Sequence, residues 1–129
     1  MNSQPNSKPI DYNGLMQANL ARVFGERDAG KRLKAIRELY AEAAVLNEPD
    51  ASAKGPAAIN EAVTSLLASL PPGFVFRSIG PAIGHHNIGR LKWRAGPVDG
   101  PAAVTGMDIA HFEGNLIHSL FVFLEPNDA

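Results

Sequence analysis

No cysteine occurs among the 129 residues of the chain. Disulfide bonds, thiolate nucleophiles and cysteine-ligated zinc or iron–sulfur sites are therefore excluded. Two glycine-rich phosphate-binding patterns, GxGxxG and GxxxxGK followed by Ser or Thr, are missing as well. Any chemistry must come from carboxyl, imidazole, hydroxyl or amide groups, and we expect neither a metal ion nor an organic cofactor.

An excess of charge of either sign is also missing, since 12 Lys and Arg stand against 13 Asp and Glu. No dense basic cluster is present, so neither nucleic acid nor an anionic membrane is indicated as a partner. No apolar run approaches the roughly 20 residues of a membrane span, and the N-terminus lacks the apolar core of a secretion signal. We therefore expect a cytoplasmic protein.

Apolar residues are plentiful, at 45% of the chain. In a chain of this length they can fill one core, and a second domain is not available. The first ten residues, MNSQPNSKPI, are rich in Pro, Ser and Asn and predict a flexible tail. The predicted organisation is a tail over residues 1–10 and one domain over residues 11–129.

The first half of the chain has the apolar periodicity of three amphipathic helices. The first runs from Tyr12 to Gly25, the second is capped by Asp28, and the third begins at Pro56 and is broken at Pro71. A short strand follows the second helix, and the rest of the chain alternates as strands. This predicts an α+β domain with a curved antiparallel sheet packed against three helices. The charged residues of the second helix are expected mostly to face solvent: Lys31, Arg32, Lys34, Arg37 and Glu38.

The segment 104–124 predicts a β-hairpin. Two runs rich in β-branched and aromatic residues flank Gly114-Asn115, a dipeptide suited to a tight turn. Closing a two-residue loop there places Asp108, an acid in otherwise apolar surroundings, opposite Phe121.

Both faces of this hairpin are apolar, so both need cover, and the helices can cover only one. We assign the face of Asp108 to the interior, where Gly106 and Ala110 leave space while Phe121 and Phe123 wall a cavity. In the alternative assignment Asp108 faces water. The opposite face is then predicted to be a homodimer surface, formed by Met107, Ile109, Leu120 and Val122.

Further side chains are expected at the same cavity. Glu48 lies on the inward face of the short strand or at its rim, and His85 shares the face of Trp93 by parity. Asn19 and Tyr40 are polar members of the helical apolar stripes. The candidate ligand-binding residues are Asn19, Tyr40, His85, Trp93, Phe121 and Phe123.

The four histidines do not predict a metal site. His85 and His86 are adjacent, so on a strand they point to opposite faces and cannot both bind one ion. His111 and His118 are predicted cross-strand neighbours on the outer face, but no third ligand accompanies them. A stacked neutral pair is the simpler interpretation.

The order of these elements resembles the nuclear transport factor 2-like superfamily, and within it the SnoaL-like proteins. The long sheet ends in the pattern D-x-x-x-F-x-G-x-L/I. The resemblance implies a cone-shaped domain that encloses a pocket. The matching stretches span nearly everything after Gly14: LYAEAAVLNEPD (39–50), KGPAAINEAV (54–63), HHNIGRLKW (85–93) and TGMDIAHFEGNLIHSLFVFLEP (105–126).

The resemblance also implies two catalytic residues. In ketosteroid isomerases, which share the fold, a carboxylate just before the proline of the inserted strand moves the proton, and Glu48 matches that position. A protonated aspartic acid in the D-x-x-x-F strand donates to the oxyanion in those enzymes, and Asp108 matches it. SnoaL-like polyketide cyclases use an aspartate of the same strand as acid and base.

The chain departs from the isomerases at Asn19, where those enzymes place a tyrosine donor. An amide is a much weaker acid than a phenol, so steroid isomerisation itself is not expected. The leading hypothesis is acid/base isomerisation, cyclisation or hydration of a small hydrophobic carbonyl or epoxide compound. The alternative is a non-catalytic module for ligand binding or dimerisation, in which Glu48 is exposed and Asp108 accepts a hydrogen bond from Tyr40 or Asn19. The sequence leaves open whether the chain is an enzyme.

Overall fold

The computed structural model of the chain describes residues 9–126. Residues 1–8 of the predicted tail lie outside the described residues. The helices are α1 (Tyr12–Asn19), continued by a π-helical segment (Leu20–Phe24), α2 (Ala29–Leu39) and α3 (Pro56–Ser69). The strands are β1 (Tyr40–Glu48), β2 (Ala51–Lys54), β3 (Phe74–Ser78), β4 (Ile83–His85), β5 (Ile88–Pro97), β6 (Val104–Glu113) and β7 (Leu116–Pro126). No helix in residues 9–126 is long and apolar enough to cross a membrane.

The helix boundaries follow local signals in the sequence. Asp28 caps α2, because its Oδ1 accepts the backbone N–H of Lys31 at 3.0 Å. Gly25 ends the first helical segment, where its N–H donates to the carbonyl of Leu20 at 2.8 Å. Pro56 is the first residue of α3, where no hydrogen bond from its nitrogen is needed. These three boundaries lie where the sequence predicts them.

The strands form one curved sheet in the order β2-β1-β7-β6-β5-β3, and β4 pairs with β5. Three helices pack on one face of this sheet, so the predicted α+β class is confirmed. The sheet is mixed, however, because β1 and β7 run parallel. The prediction of an antiparallel sheet is wrong at this pair, since no partner could be assigned to the short strand from its sequence alone. The core lies between the helices and the face of the sheet that they cover, here called the inner face.

The predicted register of the β6–β7 hairpin is correct next to the turn and wrong beyond Phe112. Phe112 pairs with Ile117 as predicted, but His111 pairs with Ser119, because a β-bulge at His118 adds one residue to β7. A shift of one residue moves every following side chain to the other face of a strand.

As a consequence, Asp108 pairs with Val122, and Leu120 and Val122 lie on the inner face. Leu120 is fully buried and Val122 packs against the core. Neither residue therefore lies on the outer surface, where both were predicted. Phe121 and Phe123 are 41% and 54% exposed on the outer face, where they join Met107 and Ile109.

Arg32 contradicts the prediction of an exposed side chain, because only 1% of it is accessible. Its guanidinium donates to the side-chain oxygen of Asn60 at 2.7 Å, to the backbone oxygen of Glu26 at 2.6 Å and to the hydroxyl of Thr64. Asn60 and Thr64 lie on α3, so this side chain links α2 to α3. Three uncharged acceptors replace the water that would surround an exposed arginine.

Candidate functional site

A cavity of about 160 Å³ lies between the helices and the inner face of the sheet. Two acidic side chains line it, Asp108 from β6 and Glu48 from β1. The remaining walls are almost entirely apolar and come from both layers of the fold: Leu20, Phe24, Pro49, Leu66, Leu70, Phe76, Trp93, Ala95, Val104, Val122 and Leu124. Two carboxyl groups in an apolar cavity are the chemical feature that defines this site.

Asp108 is the more deeply buried acid, with 3% of its surface exposed. Its Oδ1 accepts a hydrogen bond from the indole Nε1 of Trp93 at 2.9 Å. Burial raises the pKa of Asp108 from 3.8 to about 7, and the hydrogen bond from Trp93 opposes part of that rise. Near neutral pH this carboxyl group is therefore divided between its acidic and basic forms.

Trp93 holds its position because Gly106 has no side chain. An added Cβ on Gly106 would lie 2.3 Å from the Cζ2 atom of Trp93 and 2.7 Å from the backbone oxygen of Phe123. The indole thus occupies the space beside Asp108 that was predicted to be empty. The prediction that Gly106 contributes open space is wrong, because an aromatic ring on the neighbouring strand fills it.

Glu48 ends β1, one residue before Pro49, and is half-buried. Burial raises the pKa of this carboxyl, and the negative charge of Asp50 raises it further. Asn47 is paired with Phe121, so Glu48 is level with Val122, which pairs with Asp108. The two acids thus share one row across the sheet with a single strand between them, and their backbones lie roughly 10 Å apart at ordinary strand spacing.

Asn19 and Tyr40 form a buried, hydrogen-bonded pair in the core. The Tyr40 hydroxyl donates to Oδ1 of Asn19 at 2.6 Å, and the bond links α1 to β1. Burial, and then the charge of Asp108, raise the pKa of Tyr40 well above its ordinary value. Neither side chain is among the residues that line the cavity. The alternative in which Asp108 accepts from Tyr40 or Asn19 is wrong, because Trp93 is the donor and Tyr40 is bound to Asn19.

The sequence matches no family model and no curated protein. A proposed isomerase of the SnoaL-like family from Agrobacterium tumefaciens superposes with a TM-score of 0.81 at 24% identity, over 88% of this chain and 97% of that one. A proposed polyketide cyclase from Sinorhizobium meliloti gives 0.65 at 14% identity, over 84% and 93%. A proposed ketosteroid isomerase from Kribbella flavida gives 0.68 at 12% identity, over 92% and 80%. The chain has the nuclear transport factor 2-like fold.

These structural neighbours confirm the architecture that the resemblance implied, but a fold by itself does not fix an activity. Of the predicted site residues, the cavity in this fold brings together Asp108, Glu48 and Trp93. The β-bulge places Phe121 and Phe123 on the outer face, away from it.

His85 is also outside the cavity. It belongs to β4, pairs with Ile88 and is exposed, because His86 and Asn87 form a turn where one continuous strand was predicted. Parity along a strand applies only while the strand continues, so the turn breaks the argument that placed His85 beside Trp93.

Several residues that line the cavity were not predicted as site residues. Leu20, Phe24 and Leu66 belong to apolar helical stripes, which show burial but not whether a residue meets another side chain or a cavity. Val122 was assigned to the wrong face. No sequence signal marked Phe76 as a wall residue, because aromatic residues are common in any strand.

Proposed function

We propose that this chain catalyses proton transfer on a small apolar carbonyl compound held between Asp108 and Glu48, without a cofactor. One observation carries the proposal: two carboxyl groups with raised pKa values line a single cavity whose other walls are apolar. Perturbed acids in a cleft are typical of acid/base sites. The proposed isomerase and cyclase activities of proteins with the same fold support a reaction of this class.

The two acids have different tasks in the proposed mechanism. Neutral Asp108 donates its proton in a hydrogen bond to the carbonyl oxygen, which gains negative charge as the enolate forms. Ionised Glu48, nearer to solvent, removes a proton from the carbon next to the carbonyl and returns it to another carbon of the enolate. The proton count is unchanged after one cycle, and the product is a positional isomer.

Each acid can reach the ligand from its own side. Among the described residues the hydrogen-bond donor to Asp108 is Trp93, and it engages Oδ1. Oδ2 can therefore carry the proton that is donated to the ligand. Glu48, in the same row across the sheet, approaches from the other side of Val122.

The size of the cavity limits the substrate. A cavity of about 150 Å³ holds a molecule of the size of benzene, and this cavity measures about 160 Å³. We therefore propose that the enclosed, reacting part of the substrate is about one six-membered ring. A four-ring steroid does not fit within this volume, which agrees with the absence of a tyrosine donor at Asn19.

The same pair of acids supports two related reactions within the proposal. In a cyclisation, the enolate carbon attacks a second carbonyl group of the same molecule, and Asp108 protonates the new alkoxide. In the hydration of an epoxide, Glu48 accepts a proton from the attacking water while Asp108 protonates the opening oxygen. In each reaction Glu48 gains one proton and Asp108 loses one, and exchange of a proton through solvent then restores both groups. Neither reaction needs an oxidant or a metal ion.

Exchange of carbon-bound hydrogen for deuterium tests the proposal without knowledge of the natural substrate. The protein is incubated in D₂O with cyclohexanone and with 2-cyclohexenone, and loss of the signals of the hydrogens next to the carbonyl is followed by proton NMR. Wild-type protein should accelerate the exchange. Asp108→Asn and Glu48→Gln should each slow it by about 100-fold or more.

Glu42→Gln is the matched control, because Glu42 is an exposed acid on the same strand as Glu48. Its exchange rate should stay within about twofold of wild type. Equal rates for wild type and all three variants would remove the catalytic roles of Asp108 and Glu48.

A non-catalytic ligand-binding pocket is the second candidate, and the small, mostly apolar cavity favours it as well. In that case the same ketones would raise the melting temperature of wild type, and no exchange above the buffer rate would be observed. Val122→Phe places a larger side chain in the cavity and should abolish the increase in melting temperature. This result would show that the ketones bind in the cavity.

We also propose that two copies of the chain associate through the outer face of the sheet. Phe121 and Phe123 are 41% and 54% exposed there, and Met107 and Ile109 lie beside them. A contiguous apolar surface of this kind marks an interaction site, and a two-fold axis pairs such a surface with itself. Compared with the surface predicted from sequence, the two phenylalanines replace Leu120 and Val122.

A further inference from the structure

The turn between β4 and β5 brings two histidine rings together. His86 and Asn87 have positive φ values of 52° and 69°, a conformation that residues other than glycine seldom adopt. His85 therefore ends β4 just as the chain reverses, and its ring meets the ring of His86 edge to face at a centroid distance of 5.0 Å. The Nδ1 atoms of the two rings lie 2.7 Å apart.

Contacts on both sides hold this turn in place. The backbone N–H of Asn87 donates to the Tyr12 hydroxyl at 2.9 Å, and the Asn87 carbonyl accepts the N–H of Phe112 at 2.8 Å. Tyr12 comes from α1 and Phe112 from β6, so two separate elements fix the turn. The fold therefore fixes the backbone of the turn that brings the two histidines together.

We infer that the Nδ1 atoms of His85 and His86 form a binding site for a divalent transition-metal ion, Cu²⁺ above all. Two nitrogens 2.7 Å apart, each about 2 Å from a shared ion, subtend about 85° at that ion. This angle is close to the ~90° between neighbouring ligands in square-planar or octahedral coordination, which Cu²⁺ and Ni²⁺ favour. Tetrahedral zinc prefers wider angles.

The protein supplies two ligands in this proposal, and water completes the coordination. Within residues 9–126 no third His, Cys, Asp or Glu joins the pair. In the metal-free pair one Nδ1 carries the hydrogen and donates it to the other. Metal binding needs both Nδ1 lone pairs directed at one ion instead of at each other. The hydrogen therefore moves to Nε2 of the same ring, the two exposed rings turn toward the ion, and no proton leaves a neutral pair.

The surroundings limit the affinity. His85 and His86 line a cleft on the outer face together with Ile83, Ile88 and Arg90. The positive charge of Arg90 opposes a bound cation. Replacement of Arg90 by Gln should therefore tighten metal binding.

The test is a titration of the full chain, prepared without a histidine tag, with Cu²⁺ at pH 7.5. Calorimetry should show one saturable site per chain, and electron paramagnetic resonance should show two nitrogen ligands. His85→Asn and His86→Asn should each weaken the affinity at least tenfold. Asparagine tolerates a positive φ, so the second substitution is compatible with the turn.

His111→Asn is the matched control, since His111 contacts His118 in another cross-strand pair at a centroid distance of 5.7 Å. Its affinity for Cu²⁺ should stay within twofold of wild type. Equal weakening by His111→Asn, no weakening by His85→Asn, or no saturable site below millimolar Cu²⁺ would each overturn the proposal. His85 lies on a strand and is exposed, so its variant tests the site even if the His86 variant fails to fold.

Discussion

Asp108 shows how a single neighbour sets the properties of a buried acid. The carboxyl group is almost fully buried, which favours its neutral form. The hydrogen bond from the uncharged indole of Trp93 stabilises the ionised form. The balance places the pKa at about 7, where both forms are present at physiological pH.

Removal of the indole N–H should shift this balance. In Trp93→Phe the pKa of Asp108 should rise above about 7, because the interaction that lowers it is lost while burial stays. Carbon-13 NMR titration of labelled aspartate carboxyl groups measures the change. Tyr40→Phe is the control, since the Tyr40 hydroxyl donates to Asn19 and not to Asp108. An unchanged or lower pKa in Trp93→Phe would contradict the assigned role of the indole.

The raised pKa also makes stability depend on pH. Between pH 3.8 and about 7 the folded state holds a proton on Asp108 that the unfolded state has lost, so stability falls as pH rises through this window. The difference corresponds to at most about 4 kcal/mol of unfolding free energy. Asp108→Asn should not lose this contribution, so its stability relative to wild type should increase from pH 5 to pH 8.5. Urea unfolding at both pH values measures it, and parallel curves for the two proteins would refute the assignment.

At the scale of single elements, the contact between β5 and β6 depends on a glycine. Gly106→Ala should destabilise the fold by about 1–3 kcal/mol, because the new methyl group overlaps the Trp93 ring and backbone that cannot move. It should also weaken the bond between Trp93 and Asp108. Thermal and urea unfolding give the first effect, and the fluorescence of Trp93, the single tryptophan, reports the second.

Gly100→Ala serves as the comparison, since an added Cβ there meets only side-chain atoms of Pro97 at 3.3 Å or more. It should change stability by less than about 1 kcal/mol. Equal effects of the two substitutions would show that the space above Gly106 is not restricted.

The element boundaries could be predicted because local chemistry sets them. Asp28, Pro56 and Gly25 act through hydrogen bonds or ring geometry within a few residues of each boundary. The β-bulge at His118 could not be predicted in the same way. Leu120 and Val122 are as apolar as Phe121 and Phe123, so the sequence contains no polar alternation that distinguishes one register from the other.

The candidate site, like the fold, could be predicted only in part from the sequence. Asp108 stood out as an acid in an otherwise apolar hairpin, Glu48 was indicated by strand alternation and by the resemblance, and both line the cavity. Trp93 was also assigned correctly, whereas Phe121 and Phe123 were misassigned because their faces depended on the hairpin register. Strand parity predicted that His85 and His86 point to opposite faces. Their rings meet because a turn, formed without glycine, interrupts the strand at this point.

For the whole molecule, the parallel pairing of β1 with β7 brings the two acids together. Glu48 and Asp108 are 60 positions apart in the sequence, and only the order β1-β7-β6 places them in one row. Sequence periodicity describes the faces of each strand but not the order of strands in a sheet. The resemblance to proteins of known fold supplied what the periodicity could not.

Self-association is the prediction that belongs to this scale. Analytical ultracentrifugation at micromolar concentration should give the mass of two chains for wild type. Phe121→Asp and Ile109→Asp should each give the mass of one, because a buried carboxylate without a partner would face the other copy. Ala57→Asp, an exposed position of α3 on the opposite side of the sheet, should leave the mass unchanged. A wild-type mass of one chain would refute the interface.

Val122 lies in the row between the two acids and forms the cavity floor there. The backbone ladder, and not this side chain, sets the separation of the acids. A smaller or larger residue at this single position would therefore alter the width of molecule that the cavity admits while both acids keep their places. One codon change at this position could therefore alter which molecules fit the cavity and leave both carboxyl groups in place.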